Sequence, residues 1–307
     1  MNVQQEIKKL KEEKNAIILS HFYQPGEVQD IADIVGDSLE LAKAARDADN
    51  DVIVFCGVRF MAETAKILNP KKNVLLPAID AGCLMADMIS ADEVLHLKEE
   101  YPNAAVMCYV NSDIEVKAVS DICCTSSNAV RVAQSLVEDE IIFVPDRCLG
   151  DYISQFLPQK KMILAEGFCP THMRITAADI KSARQAKPQA MVLVHPECNP
   201  EVIKLSDFVG STSQIIEKAV ASNAKEFIIG TEQGVLHRLD QRCPNKKFYN
   251  TGRLQTCINM KRTTIDTVYR ALKSMEYQIS VEEEMAEKAI KSLERMFSVT
   301  TPVGAKL

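Results

Sequence analysis

The feature that most constrains this chain is that it repeats itself. The run LKEEKNAIILSH, ending at His21, resembles LKEEYPNAAVMCY, ending at Tyr109, and a third apolar run, AMVLVH, ends at His195. The landmark therefore returns after 88 and then 86 residues. Self-similarity at a fixed period marks a copied unit, and it fixes the architecture before any motif is read. Seventeen residues beyond each landmark stands a hydroxyl, Ser38, Ser126 or Thr212, opening a helix-like segment. After Ser126, apolar residues fall at Ala129, Val132, Ala133, Leu136 and Val137, the stripe of an amphipathic helix. β-branched runs follow, DVIVF, EIIFV and EFIIG, and then NVLLPAIDAGC, KMILAEGFC and KFYNTGRLQTC, whose ends carry Cys83, Cys169 and Cys257. Seven residues later stand Ser90, Thr176 and Thr264, good N-caps for the helices behind them.

Strand, helix, strand, helix, strand, helix is the pattern of a parallel sheet covered on both faces. The repeat thus predicts an α/β chain of three pseudo-threefold-related, three-layer αβα units with parallel sheets around a central active site. The units are expected at 1–84, 85–172 and 173–264, with C-terminal helices over 265–307 completing the first. The stripe Ala286, Ala289, Ile290, Leu293, Met296 and Phe297 is expected to pack on that first unit. Loops beyond strand C-termini form the sites of open parallel sheets, and His21, Tyr109, His195 and the three cysteines all occupy such loops.

Composition narrows the function. A net charge of -6 without a basic run argues against nucleic acid, whose phosphates need clustered Lys and Arg. Apolar stretches such as 52–58 fall far short of the ~20 residues of a membrane span. The polar start, MNVQQEIKKLKEEKN, lacks the apolar core of a secretory signal, so a cytoplasmic chain is expected. Ten cysteines in a reducing compartment point to metal binding rather than a disulfide framework. Cys56 and Cys108, inside apolar runs, read as core. CxxC, HExxH, GxGxxG and GxxxxGK are absent from the sequence.

Three thiolates meeting on an axis suit one 4Fe-4S cluster with an iron left without a protein ligand, a Lewis acid; zinc on three cysteines is the rival. Ser38, Ser126 with Ser127, and Ser211 with Thr212 and Ser213 stand where helix N-termini attract anions, although each also suits an ordinary cap. Together they predict a small polyanionic substrate. His21, Tyr23, Tyr109, His195 and Glu197, at the ends of the first strands, are the candidates for proton transfer. Asn111 is a candidate orienter of a carboxylate or carbonyl oxygen. His96 reads as solvated, and Cys123 and Cys124 as packing or loop residues.

HFYQP, GDSLELA, GCLMADM, CYVNS, DICCTSSNA, EGFCPTHMR, VHPEC and FVGSTSQ together resemble the quinolinate synthase A family over nearly the whole chain. The resemblance implies condensation of iminoaspartate with dihydroxyacetone phosphate to quinolinate, with loss of phosphate and two waters, in NAD biosynthesis. It implies L-aspartate oxidase as a functional partner supplying iminoaspartate. By the same resemblance Cys83, Cys169 and Cys257 hold the 4Fe-4S cluster, and Ser38, Ser126, Ser211 and Thr212 hold carboxylates or phosphate. His21, Tyr23, Tyr109, His195 and Glu197 position substrates and move protons, Tyr23 and Glu197 foremost, with Asn111 as orienter and His172 close to the cluster. The CxxCxxC segment of some members is absent here: Ile258, Asn259 and Met260 follow Cys257. A non-catalytic iron-sulfur sensor and a zinc enzyme are the alternatives.

Overall fold

The computed structural model describes residues 3–299. Three four-stranded sheets are present among them, each parallel throughout and each with the same strand order. The first holds β1 (Ala16–His21), β2 (Ile34–Gly36), β3 (Val52–Cys56) and β4 (Asn73–Leu75) in the order β2-β1-β3-β4. The second holds β5 (Ala105–Tyr109), β6 (Ile122–Cys124), β7 (Glu140–Val144) and β8 (Lys161–Leu164) in the order β6-β5-β7-β8. The third holds β9 (Met191–Val194), β10 (Phe208–Val209), β11 (Glu226–Gly230) and β12 (Lys247–Tyr249) in the order β10-β9-β11-β12. Helices flank each sheet, as expected of three αβα units. Central strands such as β3 and β5 are buried along their whole length, which is why they read as unbroken apolar runs.

The expectation of three strands per repeat missed one. The short edge strands β2, β6 and β10 have two or three residues each, too few for a periodic signal. A side-chain device sets them in place. Asp33, Asp121 and Asp207, again 88 and 86 residues apart, each accept the N–H of a first-strand residue, Ile18, Val106 or Val192, at 2.7–2.8 Å. Each returns its own N–H to that residue's carbonyl. Lys11, Lys98 and Arg184 pair with the three carboxylates. One aspartate thus extends the ladder by a side chain in every repeat. Ser90, Thr176 and Thr264 do cap their helices, each within a capping box.

The chain divides into two compact units. One comprises the chain up to Cys83 together with Cys169–Val281, and so contains the first and third sheets. Its first core joins Ile7, Ile18, Val54 and Leu75 to Val268 and Leu272 of the helix Ile265–Ser274. The other comprises Leu84–Phe168 and the chain from Glu282 onward. There the helix Glu283–Ser298 packs on the helix Ile114–Ala118 and on β6, not on the first repeat's unit. The reason is chemical: the buried face of that helix carries Ser292 among Ala289, Leu293 and Met296. Ser292 Oγ donates to the Lys117 carbonyl at 2.9 Å and meets the Cys123 thiol at 3.3 Å. An apolar stripe shows that a helix needs a partner face and leaves open which face that is. The expected segment 300–307 lies outside the described residues.

Candidate active site

The loops that leave the first strands carry the chemistry, and the repeat sets three different residues at one equivalent position two beyond the strand landmark: Tyr23, Asn111 and Glu197. In the first and third repeats the landmark histidine locks its own loop. The Tyr23 N–H donates to His21 Nδ1 at 3.1 Å, and the Glu197 N–H donates to His195 Nδ1 at 3.3 Å. Both rings are buried, and burial holds His21 down to about 4 and His195 to about 3, against the opposing pull of nearby Asp37 and Glu197. Both are therefore neutral near pH 7, with Nδ1 unprotonated and accepting those N–H groups.

Within the same unit Tyr23, His172, His195, Glu197 and Thr212 come together around Thr231. The Tyr23 hydroxyl lies 2.9 Å from Thr212 Oγ1 and 2.7 Å from Thr231 Oγ1. Thr231 Oγ1 lies 2.9 Å from His172 Nε2, and His172 Nδ1 lies 2.7 Å from Glu197 Oε2. The His172 ring stacks on His195 at 4.7 Å. One assignment of protons satisfies every member: Thr212 donates to Tyr23, Tyr23 to Thr231, Thr231 to His172 Nε2, and His172 Nδ1 to the carboxylate. Burial and the charge of Glu197 push the Tyr23 phenol well above its ordinary value, so it rests protonated.

Thr231 is the residue that sequence reading missed. It follows β11, the second long strand of its repeat, whereas the recurring landmarks single out only the loops after the first and third runs. Its repeat equivalents are unremarkable: Gly57 and Pro145 directly follow β3 and β7, so no recurring residue type draws attention to that loop.

The thiol-bearing loops adjoin this centre. Cys169 Sγ lies 3.1 Å from His172 Nδ1, and Cys169, His172 and Glu197 each offer a ligand atom within 4.8 Å of the others. Asn259, two residues past Cys257, donates to the Gly82 carbonyl beside Cys83 at 2.9 Å. Of the ten cysteines, Cys83, Cys169 and Cys257 are the partly open ones, and the other seven are buried. The Cys257 N–H donates to Glu232 Oε1 at 3.1 Å. Glu232 is wholly buried against Lys261 at 2.9 Å, and Lys261 also donates to the Tyr23 carbonyl. One ion pair therefore joins the Tyr23 loop to the Cys257 loop. Burial pushes the Cys257 thiol up, opposed by the N–H groups of Met260 and Asn259.

The hydroxyl positions are more varied than expected. Ser38 is the first helical residue, capped by Asp37, and Thr212 likewise follows the cap Ser211. These two helix starts face each other: Ser211 Oγ donates to Asp37 Oδ2 at 3.3 Å, and Ser213 Oγ to Glu40 Oε2 at 2.6 Å. In the other unit, Ser126 lies in a turn before the helix Ala129–Ser135, which begins after Ser126 and ends short of the stripe's Leu136 and Val137, leaving Val137 exposed. Tyr109 ends β5 there, buried, and Asn111 holds a buried Oδ1 that meets no donor among the described residues. His96 is exposed. Cys123 and Cys124 are buried residues of strand β6 rather than of a loop.

A parallel-sheet scaffold that aligns tyrosine, threonine, histidine and carboxylate beside an open thiol defines an α/β enzyme fitted for proton transfer. Comparison with known proteins makes the assignment narrower. Residues 5–298 match the family described as quinolinate synthetase A protein. A quinolinate synthase of Alkaliphilus metalliredigens is 55% identical over 298 residues, 97% of this chain and 98% of the relative. One from Methanoregula boonei is 53% identical over 297 residues, at 97% and 98% coverage, and one from Clostridioides difficile is 51% identical over 291, at 95% and 96%. The chain belongs to the quinolinate synthetase A protein family and is an enzyme. No helix among the described residues is long and apolar enough to cross a membrane.

Proposed function

We propose that this enzyme condenses iminoaspartate with dihydroxyacetone phosphate to quinolinate, releasing phosphate and two waters, as a cytoplasmic step of NAD biosynthesis fed by an L-aspartate oxidase. The observation that carries the reading is the hydrogen-bonded series from Tyr23 through Thr231 and His172 to Glu197, beside Cys169.

The donor set fits an iron-sulfur cluster. Three soft thiols outside any disulfide occupy equivalent loops of one unit, and an added Cβ at Gly82 would meet no atom within 4 Å, so space lies open beside Cys83. Cys83, Cys169 and Cys257 would hold the cluster, which supplies, when bound, a Lewis-acidic iron without a protein ligand. Zinc on the same three cysteines is the rival reading, and metal analysis of the loaded enzyme separates the two.

The chain's own groups then divide the work. Tyr23 is too weak an acid to lose its proton to water, so Thr231 and His172 pass that proton to Glu197, and the phenolate removes a proton from the substrate. Returning it to a departing hydroxide completes each dehydration. Neutral His21 and His195 bind substrate oxygens through Nε2–H. Ser38, Ser211 and Thr212 hold carboxylate or phosphate at facing helix starts, where orphan N–H groups favour anions. Tyr109, Asn111 and Ser126, in the second repeat, are assigned to substrate binding by the family resemblance alone. A non-catalytic sensor would have no use for the proton series.

The test is anaerobic reconstitution with iron and sulfide followed by a quinolinate assay. Ser replacements at Cys83, Cys169 or Cys257 are expected to abolish iron binding and turnover, and Cys56→Ser or Cys243→Ser to retain both. Equal loss in the two sets would defeat the ligand assignment, and a loaded enzyme that makes no quinolinate would defeat the reaction.

A further inference from the structure

Two buried polar side chains outside the site described above occupy the same place in successive repeats. Gln29 and Lys117 are 88 residues apart, the spacing of the landmarks His21 and Tyr109. Each lies on the short helix that follows the first strand of its repeat, Gly26–Asp30 or Ile114–Ala118. Gln29 is 4% exposed and Lys117 0%. A lysine wholly inside a protein is rare unless its donors are spoken for.

Both donate to the same main-chain atom of the repeat. Gln29 Nε2 donates to the Gln24 carbonyl at 3.0 Å, and Lys117 Nζ donates to the Ser112 carbonyl. Gln24 and Ser112 are themselves 88 residues apart, each one residue beyond the position that bears Tyr23 or Asn111. The carbonyls of Phe22 and Gly234 lie 3.0 and 2.9 Å from the same nitrogen, so the three carbonyls share its two protons, while its Oε1 meets no donor among the described residues. Its purpose is donation. Around Lys117, Ser112 Oγ donates to the Tyr109 carbonyl at 2.9 Å, and the Cys108 thiol contacts that same carbonyl at 3.2 Å. The third repeat has Ile203 at this position and carries prolines at 196 and 200 in its loop, whose fixed φ stiffens the backbone without a side-chain donor.

We propose that Gln29 and Lys117 are equivalent positioning residues, each clamping the carbonyl next to a chemistry-bearing side chain and so fixing where Tyr23 and Asn111 stand. The kinetic part of this inference rests on the function proposed above; the clamp itself rests on geometry alone.

The test compares Gln29→Leu and Lys117→Met, which keep bulk and lose the donors, with the exchanges Gln29→Lys and Lys117→Gln, which keep them. Hydrogen exchange is followed in the amides of residues 22–24 and 110–113, with kcat and KM for quinolinate formation measured alongside iron content. Loss of the donor should speed exchange at least ~10-fold in the loop of that repeat, leaving the other loop and the core strands unchanged. Gln29→Leu should lower kcat with iron retained, Lys117→Met should raise KM, and the exchanged donors should restore protection. Unchanged loop exchange, or exchange raised evenly across the unit, overturns the clamp. Should Lys117→Met fail to fold, Gln29→Leu and the two exchanges decide. If the loaded parent enzyme makes no quinolinate, the proposed reaction falls, and the exchange pattern still decides the clamp.

Discussion

Thr231→Val is the sharpest single test of the proton series. The replacement keeps the shape of a side chain that is 1% exposed, so no cavity opens, and it deletes the hydroxyl that touches both Tyr23 at 2.7 Å and His172 at 2.9 Å. Tyr23 keeps Thr212 as a partner, whereas His172 Nε2 is left buried facing a methyl group. A buried group deprived of its partner costs about 1–3 kcal/mol of stability. The effect on catalysis should be larger: proton transfer through a positioned group contributes ~10²–10⁴-fold, or roughly 3–5 kcal/mol of barrier. Quinolinate assays on the reconstituted enzyme should therefore show kcat down by at least ~10²-fold, with KM and iron content near those of the parent. Thr231→Ser, which restores the hydroxyl, should recover most of the rate. A Val variant within ~3-fold of the parent kcat, or a Ser variant as slow as Val, would refute the relay.

Three further outcomes are expected. His21 and His195 are held below their ordinary range when folded, so the unfolded chain takes up their protons first as pH falls; stability should be complete above about pH 7 and decline through 6.5 toward 4. Denaturation midpoints at pH 7.5, 6 and 5 would show this, and His21→Asn should flatten the slope; a slope parallel to the parent would exclude His21 as its source. Asp33→Ala, Asp121→Ala and Asp207→Ala should each cost about 1–3 kcal/mol by urea unfolding, because each strands a first-strand N–H; a neutral result at all three would mean the staples contribute nothing. Glu232→Gln, which leaves the partly exposed Lys261 without its buried carboxylate, should cost about 1–3 kcal/mol, read from the thermal midpoint, and a midpoint equal to that of the parent would show that the ion pair adds nothing.

The architecture was legible because duplication writes each landmark three times. A single β-branched run or a single Thr-capped helix is ambiguous, but Cys83, Cys169 and Cys257 at matching offsets are not, and the structure leaves those three thiols open while burying the rest. What escaped notice has no periodic signature. The edge strands are too short, and Asp33, Asp121 and Asp207 look like ordinary loop acids until their amide partners are seen. Thr231 and the pair Glu232 and Lys261 act through contacts spanning long stretches of chain, which no local window contains. The helix Glu283–Ser298 reads correctly as amphipathic yet packs on a different face from the one expected, because an apolar stripe carries no address; the polar Ser292 within it supplies one.

The three aspartate staples have a consequence for life in a crowded solution. A sheet border with unpaired N–H and carbonyl groups is a template on which another chain can add a strand, and proteins protect themselves with short borders and inward charge. Here β2, β6 and β10 present two or three residues apiece, and the next first-strand amide is already taken by a carboxylate that is itself paired to Lys11, Lys98 or Arg184. One inherited solution, copied with the repeat, leaves a stray strand little to zip onto at any of these borders.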